Sequence, residues 1–243
     1  QEGVTYKDLS LVIYDEQHRF GVSQRLKLKE KAEDYPHQLL LSATPIPRTM
    51  AMGVLSGLDI STIKSLPPNR TPIVTTTLSN NRRDALINRI KSAINKNSQV
   101  YWVCPLIDES ESELIGIEDL ERILKKEFDS QDYEIIHGKM KDMDKQKILS
   151  DFKEKKTKIL LATTVIEVGI DVPDANIMVI ENSERFGLAQ LHQLRGRVGR
   201  GEKESFCILM HNDSLTELPE KRLQIITETN DGFIIAEEDL KLR

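Results

Sequence analysis

Asp15 and Glu16 form an acidic pair at the end of the apolar run SLVIY. This run predicts a buried strand, and α/β proteins bind their ligands beyond the carboxyl ends of such strands. An aspartate in that place can hold Mg²⁺ through its water shell, and the adjacent glutamate can orient and deprotonate an attacking water. Because acidic side chains also cap helices, a turn or a helix cap is the alternative interpretation of the pair taken alone.

Hydroxyl residues follow two further apolar runs. Ser42 and Thr44 come after HQLLL, and Thr163 comes after KILLA at the start of TTVIEVGIDVP. Hydroxyls and backbone N–H groups at strand ends can bond a neighbouring carboxylate or a nucleic-acid phosphate. Asp171, which follows shortly after Gly169, is placed to reach a ribose or a neighbouring active site. The alternative interpretation is a helix cap or an ordinary strand-to-helix turn.

Three arginines separated by glycines, Arg195, Arg197 and Arg200, lie in the segment QLRGRVGR that begins at Gln193. Glycine lets a backbone approach a partner closely, and arginine offers a planar fork that suits phosphate. An arginine that meets a γ-phosphate can raise the rate of its transfer by about 10³–10⁵. Arg197 and Arg200 stand three apart, so one helical turn would direct both to the same side. The alternative is a basic helix end that the helix dipole favours.

Short apolar runs alternate with amphipathic stretches, which predicts parallel sheets covered by helices. The strand-like runs are SLVIYD, HQLLLS, DISTIKS, IVTTTL, QVYWVCPL, YEIIH, KILLATT, NIMVIEN and SFCILM. After the third run, LPPNRTP has three prolines in seven residues, which predicts a rigid linker. We therefore expect a first unit over residues 1–66, a linker over 67–72, a second unit over 73–212, and helices over 213–243 that are interrupted near Asp231 and Gly232.

The composition limits the classes of function. A formal net charge of -5 argues against a protein that is basic over its whole surface, but a local DNA groove needs only a few well-placed cations. Cys104 and Cys207 lie in apolar runs without CxxC spacing, and the histidines show no HxxxH spacing. These patterns predict buried thiols in a reducing cytoplasm, without a disulfide framework or a zinc site. No apolar run reaches the roughly 18 residues of a membrane helix, so no membrane partner is expected.

Taken together and in this order, these segments resemble the motifs of superfamily 2 helicases. Residues Asp15 to His18 resemble the DExH box, and Ser42 to Thr44 resemble motif III. Residues Thr163 to Asp171 resemble motif V, and Gln193 to Arg200 resemble motif VI. The sequence as a whole is similar to the RecG family in the segments DEQHRFGV, SATPIPRT, VCPLIDESE, TTVIEVGIDVP and RFGLAQLHQLRGRVGR. The resemblance spans nearly the whole chain.

The resemblance implies an α/β fold of two RecA-like lobes, with parallel sheets flanked by helices and ATP bound between the lobes. The first lobe would be truncated and the second complete, followed by the start of a helical hairpin that couples ATP hydrolysis to movement on duplex DNA. By the same resemblance, the catalytic set is Asp15, Glu16, His18, Gln193, Arg197 and Arg200, the ATP-binding and coupling set is Ser42, Thr44, Gly169 and Asp171, and the DNA-binding set is Thr163, His137 and Gly138. The implied cofactors are ATP and Mg²⁺, with Asp15 as the Mg²⁺ ligand through water.

The function that the resemblance implies is ATP-dependent remodelling of stalled forks and Holliday junctions in a bacterial cytoplasm, with branched double-stranded DNA as partner. No GxxxxGK[ST] sequence occurs in the 243 residues. The P-loop half of the first lobe and a wedge domain are therefore expected in a longer chain, and this segment alone is expected to lack ATPase activity. Two alternatives stay open: a translocase of the transcription-repair coupling type, and a non-catalytic helicase-like scaffold. The runs DEQH, CPLIDESE and DGFIIAEEDL favour the RecG family over the coupling type.

Overall fold

The computed structural model describes residues 4–16, 31, 36–42, 59–63, 65, 71–105, 116–163, 172–201 and 203–242. The chain divides into two compact units, residues 1–46 and residues 47–243. The sequence instead predicts a linker over 67–72, of which only Thr71 and Pro72 are described. That linker stays a prediction, and the two units are described separately.

In the first unit, two strands pair in parallel, as the sequence predicts. They are β1 (Leu11–Asp15) and β2 (His37–Leu41), and their register runs from Leu11 opposite His37 to Asp15 opposite Leu41. Val12 and Tyr14 are buried, whereas Leu11 and Ile13 are more than half exposed. Successive side chains of a strand point to opposite faces, so this alternation means that one face of β1 packs inside the unit.

The strand predicted over Asp59–Ser65 does not form. The described residues of this run have no strand pairing, and Ile60 and Ile63 are 58% and 88% exposed. A β-branched run has a preference for extended backbone, but a strand also needs a neighbour that completes its ladder and covers its side chains. The prediction was wrong because it used composition without a partner.

The second unit is built on one parallel sheet, which confirms the predicted α/β class. Its strands are β3 (Val74–Ser79), β4 (Gln99–Cys104), β5 (Tyr133–Ile136), β6 (Ile159–Thr163), β7 (Ala175–Ile180) and β8 (Phe206–His211). They lie side by side in the order β3-β8-β7-β4-β6-β5, and every neighbouring pair is parallel. All their carboxyl ends therefore lie along one edge of the sheet, where α/β proteins bind their ligands.

Helices cover both faces of this sheet. The helices are α1 (Arg83–Ile94), α2 (Ile117–Glu127), α3 (Asp142–Lys153), α4 (Leu188–Arg195), α5 (Glu217–Glu228) and α6 (Gly232–Lys241). Side chains of α1 and α2 pack on one face, around Trp102, while those of α3 to α6 pack on the other, around Tyr101. Because both faces of β4 are buried, its sequence is a continuous apolar run instead of an alternating one.

The C-terminal helices α5 and α6 are interrupted where the sequence predicts. Asp231 caps α6, since its Oδ1 accepts a hydrogen bond of 2.8 Å from the backbone N–H of Phe233. Gly232 is therefore the first residue of the second helix and does not end the first one. Leu223, Ile226 and Ile235 bury the two helices against the sheet. The hairpin is thus packed as part of the second unit.

Both cysteines are buried and free in the second unit. Burial raises the pKa of the Cys104 thiol to about 12, with a further contribution from the charge of Glu181. Burial also raises the pKa of Cys207 to about 12. Both thiols are therefore protonated core side chains. Over the residues that the structure describes, no helix has the length and apolar character needed to cross a bilayer.

Candidate functional site

The acidic pair and the first hydroxyl lie at one edge of the small sheet in the first unit. Strand β1 ends at Asp15 and pairs with β2, which ends at Leu41, so Glu16 and Ser42 each follow the last paired residue of a neighbouring strand. Glu16 has a φ of 52°, a left-handed conformation that few non-glycine residues adopt. The geometry thus brings three of the predicted nucleotide-site residues to the same edge. His18, Thr44, Gly169 and Asp171 lie outside the described residues.

The predicted DNA-binding residues meet at the carboxyl edge of the large sheet. Strands β5 and β6 are neighbours, and Ile136 lies opposite Ala162, so His137 and Thr163 come together just past that pair. Gly138 is exposed, and its carbonyl oxygen accepts a hydrogen bond of 3.1 Å from Lys145. This lysine fixes the turn that presents the backbone of the predicted DNA contact.

Thr163 is less accessible than its predicted role requires. It is 3% exposed, and its hydroxyl oxygen is buried without a hydrogen-bond partner among the described residues. A phosphate contact through this atom requires the surface above it to open. The DNA-binding role of Thr163 therefore stays a prediction. Lys139 and Lys141, which follow β5, are exposed and add positive charge near this edge of the sheet.

Helix α4 ends earlier than the arginine spacing suggests. Its last residue is Arg195, and Arg197 and Arg200 lie in the turn and the irregular segment that follow. The expectation that Arg197 and Arg200 share one helical turn is wrong. Gly196 ends the helix in a right-handed conformation, and Gly199 then takes a φ of 79°, a conformation that favours glycine. Their direction is set by this turn instead of by helical periodicity.

Two of the glycines in and after this segment have structural reasons to be glycine. A Cβ on Gly199 would stand 3.0 Å from Cγ1 of Ile73, in a conformation that side chains already disfavour. A Cβ on Gly201 would stand 2.4 Å from the carbonyl oxygen of Pro173, which is fixed backbone. The chain after motif VI therefore packs directly against the backbone of Pro173. On Gly196 a Cβ would meet its neighbours at 3.4 Å, an ordinary contact.

Arg195 is buried, and its guanidinium forms hydrogen bonds within the second unit. Its Nη1 donates to the carbonyl oxygens of Ile226 at 2.7 Å and Thr229 at 2.9 Å, at the C-terminus of α5. The same atom lies 3.4 Å from Oγ1 of Thr75 in β3. Carbonyls at a helix C-terminus lack intrahelical partners and carry partial negative charge, so a buried cation there satisfies both needs. Arg195 thus ties motif VI to the hairpin.

His192 supports this arginine from the same helix. Its Nδ1 lies 3.0 Å from Nη2 of Arg195, and because a guanidinium can only donate, the imidazole nitrogen must accept. Burial, and then the charge of Arg195, lower the pKa of His192 to about 4. The imidazole is therefore neutral at physiological pH, with its proton on Nε2.

The remaining predicted residues of motif VI are more accessible. Gln193 and Arg197 are half-buried, and Arg200 is exposed. The sequence assigned Arg197 and Arg200, but not Arg195, to the catalytic set, and the fold likewise separates a buried Arg195 from a half-buried Arg197 and an exposed Arg200. The glycine pattern was a signal for close backbone packing, but it could not identify Ile73 or Pro173 as the neighbours.

A family comparison agrees with this architecture. The model of the helicase conserved C-terminal domain matches residues 78–202, which run from β3 through motif VI. The match covers half of the chain, including strands β4 to β7 of the parallel sheet and the segments of motifs V and VI. The chain belongs to the helicase conserved C-terminal domain family.

Within that family the chain is similar to RecG helicases, which confirms the predicted resemblance. It is 53% identical over 248 aligned residues to the "ATP-dependent DNA helicase RecG" of Pasteurella multocida (strain Pm70), an alignment that covers 100% of this chain and 36% of the relative. It is 42% identical to the chain in "Structure of RecG bound to three-way DNA junction", with a TM-score of 0.79, and covers 31% of that chain. The chain therefore spans about a third of the length of the relatives it matches.

A more distant comparison shows the fold alone. The chain superposes on "S. cerevisiae Dbp5 L327V bound to RNA and ADP BeF3" with a TM-score of 0.63 over 96% of its length, at 16% identity. The shared feature is the helicase fold of parallel sheets flanked by helices.

Proposed function

We propose that the full-length protein is an ATP-dependent motor that moves on double-stranded DNA and remodels branched DNA, such as stalled replication forks and Holliday junctions, in a bacterial cytoplasm. The observation that carries the proposal is the similarity to RecG helicases along the entire chain, including motifs that lie on the described edges of both sheets. Residues 1–66 would belong to the first lobe, 73–212 would form the second lobe, and 213–243 would begin the coupling hairpin.

The first unit offers the oxygen ligands that ATP-dependent chemistry needs. Asp15, Glu16 and Ser42 stand together at the carboxyl edge of β1 and β2, and carboxylate and hydroxyl oxygens are the donors that Mg²⁺ prefers. Asp15 would hold the ion through its water shell, and Glu16 would orient and deprotonate the attacking water. The ion would neutralise phosphate charge when bound. Thr44, Gly169 and Asp171 are proposed to complete the ATP-binding and coupling set.

The accessible arginines of the second unit would act on the developing phosphate charge. Arg197 precedes Gly199, which has a φ of 79°, and Arg200 follows it; neither arginine is fully buried. A guanidinium that meets the γ-phosphate stabilises the transition state and contributes little to ground-state binding. His18 and Gln193 are proposed to couple the lobes, because each stands in the same motif as the residues that would touch the nucleotide.

DNA would contact the carboxyl edge formed by β5 and β6. His137, Gly138 and Thr163 lie at this edge, and the exposed Lys139 and Lys141 provide positive charge for phosphates. The contacts of Arg195 with α5 support a mechanical role for the hairpin, since a movement of motif VI would be transmitted to the carbonyls that Arg195 holds. ATP hydrolysis and DNA movement would then be linked through one packed unit.

Phosphate release by the full-length gene product tests this function. We expect duplex or branched DNA to stimulate ATP turnover, and the Glu16→Gln variant to lose about 10²-fold or more of that turnover because it lacks the base. The matched control is the 243-residue chain, which has no P-loop sequence and should release no phosphate above the Glu16→Gln level. Turnover that DNA does not stimulate, in a folded full-length protein, would exclude a DNA motor, and the absence of any turnover would favour the non-catalytic scaffold.

A further inference from the structure

Arg83 and Glu181, neither of which the proposed function uses, form a buried ion pair in the second unit. The Glu181 side chain is 0% exposed and the Arg83 side chain is 12% exposed. The contact is bidentate: Nη1 of Arg83 donates to Oε1 of Glu181, and Nη2 donates to Oε2 at 2.9 Å. Trp102, the only tryptophan of the chain, donates from Nε1 to the same Oε1 at 2.8 Å. The carboxylate is therefore fixed by three hydrogen bonds.

Stability alone gives a weak reason for such a pair. Desolvation of two charges offsets much of their attraction, and apolar residues of similar volume often give equal or greater stability in buried positions. Glu181 directly follows Ile180, the last residue of the fully buried strand β7, and an apolar side chain such as Leu would continue that burial. An apolar replacement cannot fix the orientation of this position, whereas three directional hydrogen bonds hold the carboxylate in one orientation.

The pair belongs to a network that joins four strand ends at the carboxyl edge of the sheet. Nη2 of Arg83 also donates to Oδ1 of Asn80, just past β3, at 3.2 Å. Nδ2 of Asn80 then donates to Oδ1 of Asn212, just past β8, at 2.8 Å. With Trp102 in β4 and Glu181 past β7, the network fixes these ends relative to one another.

Residues 181–187, which we call the lead-in segment, run from this network to the first residue of α4. Asn182 has a φ of 45°, and a non-glycine residue keeps that left-handed conformation only where its surroundings enforce it. The next residue, Ser183, donates from Oγ to the carbonyl oxygen of Met210 at 2.8 Å. Glu181 is thus the anchor from which the chain turns sharply and enters the helix of motif VI.

We propose that Glu181 is a positioning residue, which acts through the lead-in segment to set the direction of motif VI and so the placement of Arg197 and Arg200. The inference rests on the proposed function, because those arginines are assigned to phosphate chemistry there. Because its side chain is 0% exposed, Glu181 would act without touching nucleotide or DNA. Its loss should misplace groups that act in the transition state, and small misplacements of such groups have large effects on rate.

The test uses the full-length protein with Arg83→Met, Trp102→Phe and Glu181→Leu combined, so that no polar atom of the trio stays buried and unpaired. We expect its melting temperature to stay within about 5 °C of the parent. The kcat for ATP at saturating DNA should fall about tenfold or more, while KM for ATP and Kd for DNA change less than about threefold. The single variant Glu181→Gln, assayed about 20 °C below its own melting temperature, should likewise lose kcat with little change in KM or Kd. It tests the inference if the triple variant does not fold.

The matched control is the Lys91→Met, Glu127→Gln variant, which removes a half-exposed ion pair between α1 and α2. It should keep the parental kcat. A folded triple or Glu181→Gln variant with parental kcat would overturn the inference and leave the proposed function intact. A parent protein without DNA-stimulated turnover would contradict the proposed function, and the inference with it, and the two failures are therefore distinguishable.

Discussion

Nη1 of Arg195, at the last residue of α4, donates a hydrogen bond of 2.7 Å to the carbonyl oxygen of Ile226 near the end of α5. The two residues are 31 positions apart, and their bond joins motif VI to the C-terminal hairpin. An arginine that the sequence groups with phosphate-binding arginines is therefore a buried cap of a neighbouring helix.

This bond predicts that Arg195→Ala lowers the free energy of unfolding by about 2–4 kcal/mol, because it leaves helix-end carbonyls without a partner and removes a buried cation. Arg122→Ala is the control, since Arg122 is exposed and pairs with the exposed Asp119, and it should change stability by less than about 0.5 kcal/mol. Urea unfolding of the 243-residue chain, followed by the fluorescence of the buried Trp102, measures both. Equal stability of the two variants would show that Arg195 does not cap α5.

Substitution of Gly196, Gly199 or Gly201 by alanine should destabilise the chain to different degrees. Gly201→Ala should destabilise the chain most, by about 2 kcal/mol or more, because its Cβ would overlap the carbonyl oxygen of Pro173. Gly199→Ala should cost about 1–2 kcal/mol because of its positive φ and the contact with Ile73. Gly196→Ala should be within about 0.5 kcal/mol of the parent, since its conformation is helical. Thermal or urea unfolding gives the order, and a Gly196 variant as unstable as the Gly201 variant would refute the close-approach argument.

The pKa of His192 predicts a pH dependence of stability. Its pKa is about 4 in the folded chain against an ordinary histidine value of 6.5, so between these values the unfolded chain binds more protons. The contribution of His192 to stability is complete above pH 6.5 and falls as the pH falls toward 4, by up to about 3 kcal/mol. His192→Gln keeps an acceptor for Arg195 without titrating in that range, so the parent should lose more stability than the variant between pH 7 and pH 4.5. Parallel stability curves for the two proteins would contradict the prediction.

The two thiols should be inert in the folded chain. Burial raises the pKa of Cys104 and of Cys207 to about 12, and only the thiolate reacts with disulfide reagents. At pH 7 we expect both cysteines to react more than about 10²-fold slower in the folded chain than in urea. The measurement is the rate of labelling, and fast labelling of a stably folded chain would mean that these strands open locally.

The sequence was sufficient for the elements that depend on local pattern. The apolar runs around Tyr101, Leu160 and Met178 predicted strands because central parallel strands are buried on both faces. The run Asp59–Ser65 was also predicted as a strand, but its described residues pair with no other strand, which no local rule reveals. The interruption between α5 and α6 was predictable because Asp231 is an ordinary N-cap residue.

Residue pairs distant in sequence could not be predicted. Arg83 and Glu181 are 98 positions apart, and nothing in either local segment indicates that β3 and β7 both border β8. The arginine spacing predicted a phosphate-binding motif, but only the fold shows that Arg195 is turned toward α5. The site assignments that depend on His18, Thr44, Gly169 and Asp171 stay predictions.

Strand separation of a three-way DNA junction by the full-length protein is the most direct measurement of the proposed function. We expect the labelled strand to be released with ATP and Mg²⁺, faster from the junction than from a linear duplex of equal length. The Glu16→Gln variant and the Arg197→Ala, Arg200→Ala double variant should still bind the junction. Their rates of strand release should be lower than the parental rate by about 10²-fold or more. Release that does not require ATP, or equal rates in the parent and the Glu16→Gln variant, would contradict the claim that the protein is an ATP-dependent motor for branched DNA.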